Sequence, residues 1–161
     1  MECRYDRPMH TGDLVQNFSL LDQEGVERSL VTLLEAGPVV LFFYPAAMTT
    51  GCTKESCHFR DLGAEFAIAG AQRVGISMDT VDKQAEFSAK HNFDYPLLAD
   101  TEGAVARQFG VKRRFDILRT KRSTFVIGTD ARVLAVINSE TSMNSHADKA
   151  LEVLRLSLIH I

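Results

Sequence analysis

Long hydrophobic runs are missing from this sequence. No stretch approaches the roughly 20 apolar residues that span a bilayer, so no transmembrane segment is expected. The N-terminal MECRYDRPMH has no apolar core of the kind that directs secretion. Cysteine is sparse and odd in number, with three in 161 residues, which does not read as a secreted disulfide framework. Together these absences point to the reducing cytoplasm, where cysteines are more often catalytic, redox-active or buried. An excess of positive charge is missing too. A net charge of −3 is too small and of the wrong sign for strong non-specific binding of nucleic acid. There are no internal repeats and no proline-, glycine- or serine-rich linker. One domain over residues 1–161 is therefore expected, with residues 1–10 as a flexible leader. Hydrophobic residues at 45% and charged residues at 24% exclude a wholly disordered chain.

The apolar pattern alternates between strand and helix. An early hairpin is expected from two short segments, Gln16 to Leu21 and VERSL, around Gly25. Gly37 and Pro38 then punctuate, and VVLFFYP, Val39 to Pro45, is continuously apolar, as a strand covered on both faces should be. Pro45 stops it. A helix follows from about Cys52 to Ala69, with Phe59, Leu62, Phe66 and Ala69 along one face. Arg73 to Met78 reads as a strand, and Asp79 or Thr80 caps a helix ending near His91. YPLLAD is a short strand, after which Asp100 caps a short helix closing at Gly110. STFVIGTDARVLAVI is two strands with a turn at Gly128 to Ala131. The S-x-x-D pattern at Ser145 opens a last helix through about Leu156. The expected class is α/β, with a central mixed sheet flanked by helices and an N-terminal β-hairpin. This order resembles the thioredoxin-like plan.

The chemistry concentrates in FFYPAAMTTGCTKESCHFRDL, which puts Cys52 at the start of a helix just after a buried strand. A helix N-terminus offers unpaired N–H groups and partial positive charge, both of which favour thiolate. Thr49 can turn its hydroxyl toward the sulfur, and Pro45 stiffens the exit from the strand. The helix alone falls short. It contributes at most about 2 kcal/mol, and a free thiol near pKa 8.5 is only about 3% ionised at pH 7. Full ionisation gains at most about 30-fold, whereas enzymic accelerations begin near 10⁶-fold. A cation that also holds the electrophile's oxygens is needed, and Arg122, at the head of a strand, is the candidate.

Cys57 follows at a C-x₄-C spacing, about 140° round the helix from Cys52 on the side of Arg60 and Asp61. Their Cα atoms stand roughly 8.7 Å apart on an intact helix, beyond the roughly 7 Å a disulfide tolerates. If they are redox partners, the first turn and a half must unwind in each cycle.

The motif Pro45-x-x-x-Thr49-x-x-Cys52 with Glu55 and Cys57 resembles the active-site signature of peroxiredoxins. The C-x₄-C spacing is similar to that of the peroxiredoxin Q, or bacterioferritin comigratory protein, branch. The likeness extends from about Thr11 to Leu156, through TGDLVQNFSLLDQEG, RVGISMD, YPLLAD and RSTFVIGTDARVL. It implies a thiol peroxidase acting on hydrogen peroxide and organic hydroperoxides. Cys52 is then the peroxidatic and Cys57 the resolving cysteine, joined transiently by an intramolecular disulfide. Thr49 and Arg122 activate the peroxide, Pro45 shields the sulfenic acid and Glu55 orients the arginine. A thioredoxin-type dithiol recycles the protein, no cofactor or metal takes part, and a monomer is expected. Two departures stand out. Thr50 occupies a position usually held by proline in this branch, and Ala46, Ala47 and Met48 replace commonly polar residues. The alternatives are a thiol–disulfide electron carrier of the same fold, although the short C-x-x-C of such carriers is absent, and a non-catalytic binding module.

Other features read more plainly. Cys3 lies in the leader as an incidental thiol. His58 beside Cys57 is not a zinc spacing, and His10, His91, His146 and His160 are expected to be solvated. The basic stretch from Val111 to Lys121 is expected to be an irregular loop, either beside the active site, where a reductant or second subunit could meet it, or plainly solvated.

Overall fold

Five consecutive buried residues, Val39–Phe43, form the central strand, and their alternation divides the molecule into two cores. Val40 and Phe42, with Tyr44 beyond them, point into one cluster, while Val39, Leu41 and Phe43 point into the other. A strand with apolar side chains on both faces must be covered on both, and it is. The computed structural model describes residues 8–113 and 120–159. In chain order the elements are β1 (Ser19–Leu21), β2 (Glu27–Ser29), α1 (Leu30–Leu34), β3 (Val39–Phe43), α2 (Thr50–Asp61), α3 (Gly63–Ile68), β4 (Gln72–Ser77), α4 (Val81–His91), β5 (Leu97–Ala99), α5 (Ala104–Gln108), β6 (Ser123–Ile127), β7 (Val133–Asn138) and α6 (Met143–Ile159).

The five-stranded sheet runs β5-β4-β3-β6-β7, and β1 and β2 form a separate antiparallel pair, the expected hairpin. β3, β4 and β5 are parallel, whereas β6 and β7 are antiparallel to their neighbours. Side chains of α2, α3, α4 and α6 fill one face, and those of α1 and α5 fill the other. On the first face Phe59 of α2 stacks on Phe42 at 4.0 Å between ring centroids. The architecture is the thioredoxin-like mixed α/β fold.

Several expected boundaries shift, each for a local reason. The helix expected over Cys52–Ala69 is two helices broken at Leu62. Arg73 reaches in at the break and donates to the carbonyls of Phe59 and Arg60. A Cβ at Gly63 would stand 3.2 Å from that guanidinium, so glycine makes room for it. Helix α1 was not foreseen. Leu30, read as the end of a strand, instead opens a turn capped by Ser29, whose Oγ accepts from Thr32 N. Asp100 does cap α5, but from a distance: its carboxylate accepts from Val105 and Ala106 while Gly103, at φ 72°, is the capping position. Ser145 is not a cap. It lies inside α6, its hydroxyl donating back to Ser142, and the helix starts at Met143.

Candidate active site

Sheet register delivers the cation. β6 is antiparallel to β3, and Phe43 pairs with Ser123. The residue before β6, Arg122, is thereby set beside the C-terminal end of β3, where the chain leaves through Tyr44 and Pro45 towards α2. Arg122 is 6% exposed. Its Nη2 donates to Cys52 Sγ at 3.2 Å, and its Nη1 donates to Glu55 Oε1 at 3.1 Å. One planar guanidinium thus joins two residues three positions apart on α2, a bridge for which lysine's single nitrogen is ill suited.

Helix α2 starts at Thr50, and Cys52 is its third residue rather than its first. Thr49 holds the capping position without a side-chain cap bond, and the first helical bond is Thr53 N to Thr49 O. The N–H groups of Thr50, Gly51 and Cys52 therefore have no carbonyl within the helix, which leaves partial positive charge in the turn that carries Cys52, a residue only 1% exposed. The Thr49 hydroxyl donates to Ala46 O at 2.7 Å, the role of a turn residue, and not to the sulfur. Pro45 is buried below the loop. Asp79 ties the loop down, accepting from Ala47 N at 2.7 Å and from Ser77 Oγ. Met48 takes a left-handed conformation, φ 70°, at the approach to the helix. Gly51 leaves room for the guanidinium, since a Cβ there would stand 3.3 Å from Arg122 Nη2.

Glu55 is fully buried. Burial pushes its pKa up to about 8 against the pull of Arg122, with Glu140 adding to the rise. Burial works against the charge on Arg122 as well, but the facing Glu55 and Cys52 outweigh it and hold the guanidinium above its ordinary value. Arg122 N also donates to Glu140, which Arg113 engages at 2.6 Å. Arg113 and Lys112 are the described part of the basic stretch on this side. Residues 114–119 lie outside the described residues, as does Cys3.

Cys57 is half-buried on the same helix and packs against the edge of the core. Burial raises its thiol pKa, Arg60 lowers it and Asp61 raises it again. Both cysteines are free thiols, and α2 is continuous between them. Among the described residues no group of three or more histidines, cysteines or acids is placed to hold a metal. His58 instead pairs with Asp148 of α6 at 2.8 Å.

Sequence reasoning missed part of the site's surroundings. His146, expected to be solvated, is fully buried and lies 3.5 Å from Glu55. Its position on the inner face of α6, one residue before the buried Ala147, was the available signal. Tyr44 Oη donates to Gln84 Oε1 at 2.5 Å in the buried core, a pairing between residues 40 positions apart that no local pattern signals.

A buried cysteine at an uncapped helix start beneath an arginine, on this fold, defines the class of thiol-dependent peroxidases. The AhpC/TSA family model matches residues 11–136. The crystal structure of peroxidoxin BcpB from Mycobacterium tuberculosis is 62% identical, with a TM-score of 0.89 over 92% of this chain and 97% of that one. Peroxiredoxin Q of Xanthomonas campestris aligns with a TM-score of 0.79 at 31% identity, covering 86% of this chain and 90% of that one. A chloroplastic peroxiredoxin Q of Sedum lineare is 37% identical over 86% of this chain and 74% of its own. This chain therefore belongs to the AhpC/TSA family, in its peroxiredoxin Q and bacterioferritin comigratory protein branch, and is an oxidoreductase that reduces peroxide at the expense of a thiol.

Proposed function

We propose that Cys52 is the peroxidatic cysteine and Cys57 the resolving one, in an atypical two-cysteine cycle. The observation that carries this reading is the guanidinium that bonds Cys52 Sγ and Glu55 at once. As a thiolate, Cys52 attacks one oxygen of hydrogen peroxide or an organic hydroperoxide. The S–O bond forms as the O–O bond breaks, and the departing oxygen takes a proton to leave as water or an alcohol. Arg122 and the free N–H groups at the start of α2 meet the charge that moves onto that oxygen. Thr49 has committed its own proton to Ala46, so its oxygen is an acceptor for the peroxide hydroxyl. Pro45 walls the sulfenic acid from solvent, and Glu55 aims the guanidinium.

The sulfenic acid then meets the Cys57 thiol, releasing water and forming a disulfide. On an intact α2 the two Cα atoms stand about 8.7 Å apart, so the first turn and a half must unwind. A thioredoxin-type dithiol reduces the disulfide by exchange. No helix among the described residues is long and apolar enough to cross a membrane. We place the protein in the cytoplasm, as a single-domain monomer that does not engage nucleic acid.

Mass spectrometry after one equivalent of peroxide tests the reading. Loss of two hydrogens, mapped to a Cys52–Cys57 link, is expected. An unchanged mass overturns it in favour of a disulfide carrier or a binding module.

A further inference from the structure

Behind Glu55 the polar groups continue into the molecule. His146 of α6 is completely buried. Its Nδ1 lies 2.8 Å from Thr124 Oγ1 on β6, and its Nε2 lies 2.8 Å from the Ser139 carbonyl oxygen. A carbonyl oxygen only accepts, so Nε2 carries the proton and Nδ1 accepts from the Thr124 hydroxyl. The same Nε2 stands 3.5 Å from Glu55 Oε2. That oxygen is buried and has no hydrogen-bond partner, whereas its twin Oε1 is held by Arg122. A buried carboxylate oxygen without a partner is costly, and a shift of about 0.5 Å would bring it within an ordinary hydrogen bond of Nε2–H.

We propose that His146 is a positioning residue of this active site: its Nε2–H is shared between the Ser139 carbonyl and Glu55 Oε2, and so fixes the carboxylate that aims Arg122 at Cys52. The inference rests on the peroxidase reading of Cys52 and Arg122. His146 touches neither the sulfur nor the peroxide and acts only through Glu55. The imidazole is the neutral donor, since burial holds its pKa below the usual histidine range. The other charged groups around the pair are Arg122 and Glu140 facing Glu55, Cys52 facing Arg122, and Arg122, Glu140 and Lys149 facing His146. Of these, Arg122 favours the Glu55 carboxylate and Glu140 opposes it. A donor at Nε2 adds to the side of Arg122.

The test is the rate of peroxide oxidation of Cys52 against pH in the wild-type protein, Glu55→Gln, His146→Asn and His146→Gln. Glu55→Gln identifies the limb that belongs to Glu55 by abolishing it. An Asn amide can replace Nδ1 at Thr124 but cannot reach the place of Nε2. A Gln amide can. His146→Asn should move the Glu55 limb upward by about one pH unit and slow oxidation at pH 7 roughly tenfold, since one unit is tenfold in ionised fraction. His146→Gln should restore both to near wild type. Coincident Asn and Gln profiles, whether both normal or both equally slow, overturn the proposal while leaving a wild-type peroxidase intact. A wild-type protein that peroxide does not oxidise at Cys52 overturns the peroxidase reading itself, and this inference with it.

Discussion

The two cysteines of α2 are five positions apart and sit in opposite surroundings. Cys52 is sealed at 1% exposure under a guanidinium, beside N–H groups that lack helical partners. Cys57 is half-buried against the core, and burial disfavours its ionisation. The halves of the helix differ as well. The first turn has no side-chain cap and is held chiefly through Arg122. From Ser56 onward the backbone is clamped. Tyr95 Oη donates to Ser56 O at 2.6 Å and Arg73 donates to Phe59 O at 3.0 Å, while the Arg60 side chain reaches out to His91 O at 2.7 Å. The comparison teaches which sulfur travels. In the disulfide cycle proposed above, the front of α2 is the part expected to unwind, carrying Cys52 toward a Cys57 kept in place by the clamped half.

The largest expected effect comes from deleting the sealed sulfur. Cys52→Ser should lower peroxide consumption by about 10³-fold or more, as loss of a nucleophile does, in a coupled peroxidase assay. Arg122→Met should follow at about 10²–10³-fold, the usual loss on removing one transition-state donor, measured by stopped flow on the single oxidation step. Cys57→Ser should leave that first oxidation nearly unchanged yet stall after one turnover with a thioredoxin-type reductant. Normal steady-state turnover there would erase the contrast between the two thiols.

Glu55→Gln sharpens the comparison through pH. A folded-state pKa near 8 against an ordinary 4.5 means the native protein holds this proton more tightly than the unfolded chain. Its contribution is fully favourable below about 4.5 and is lost as pH rises through about 8. Wild-type unfolding free energy should therefore carry a downward slope with pH that Glu55→Gln lacks, as read by urea melts. The smallest effect is at the first helical residue. Thr50→Pro suits a position whose N–H has no helical partner, and should stabilise by about 0.4–1 kcal/mol. It should also slow disulfide formation by stiffening the segment that must unwind.

Much of the site was legible in advance because its parts are local. A thiol after a buried strand and at a helix start follows from VVLFFYP and the periodicity of Phe59, Leu62 and Phe66. Arg122 was legible as a strand-end cation, but its reach over Cys52 depends on β6 pairing antiparallel to β3. The break at Leu62 was hidden because its cause, Arg73, comes from another element. His146 was hidden because its partners come from α2, β6 and the turn after β7.

By itself the sequence determined the five main strands, the thiol near the head of α2 and a spacing that forbids a disulfide on an intact helix, because all three follow from local pattern and backbone geometry over a few residues, whereas α1 and the break between α2 and α3 did not show in it. Only the tertiary structure decided which charges face which. Packing took Glu55 and His146 out of water and put Arg122 between a carboxylate and a sulfur, and such desolvated electrostatics depend on neighbours that sequence distance does not measure.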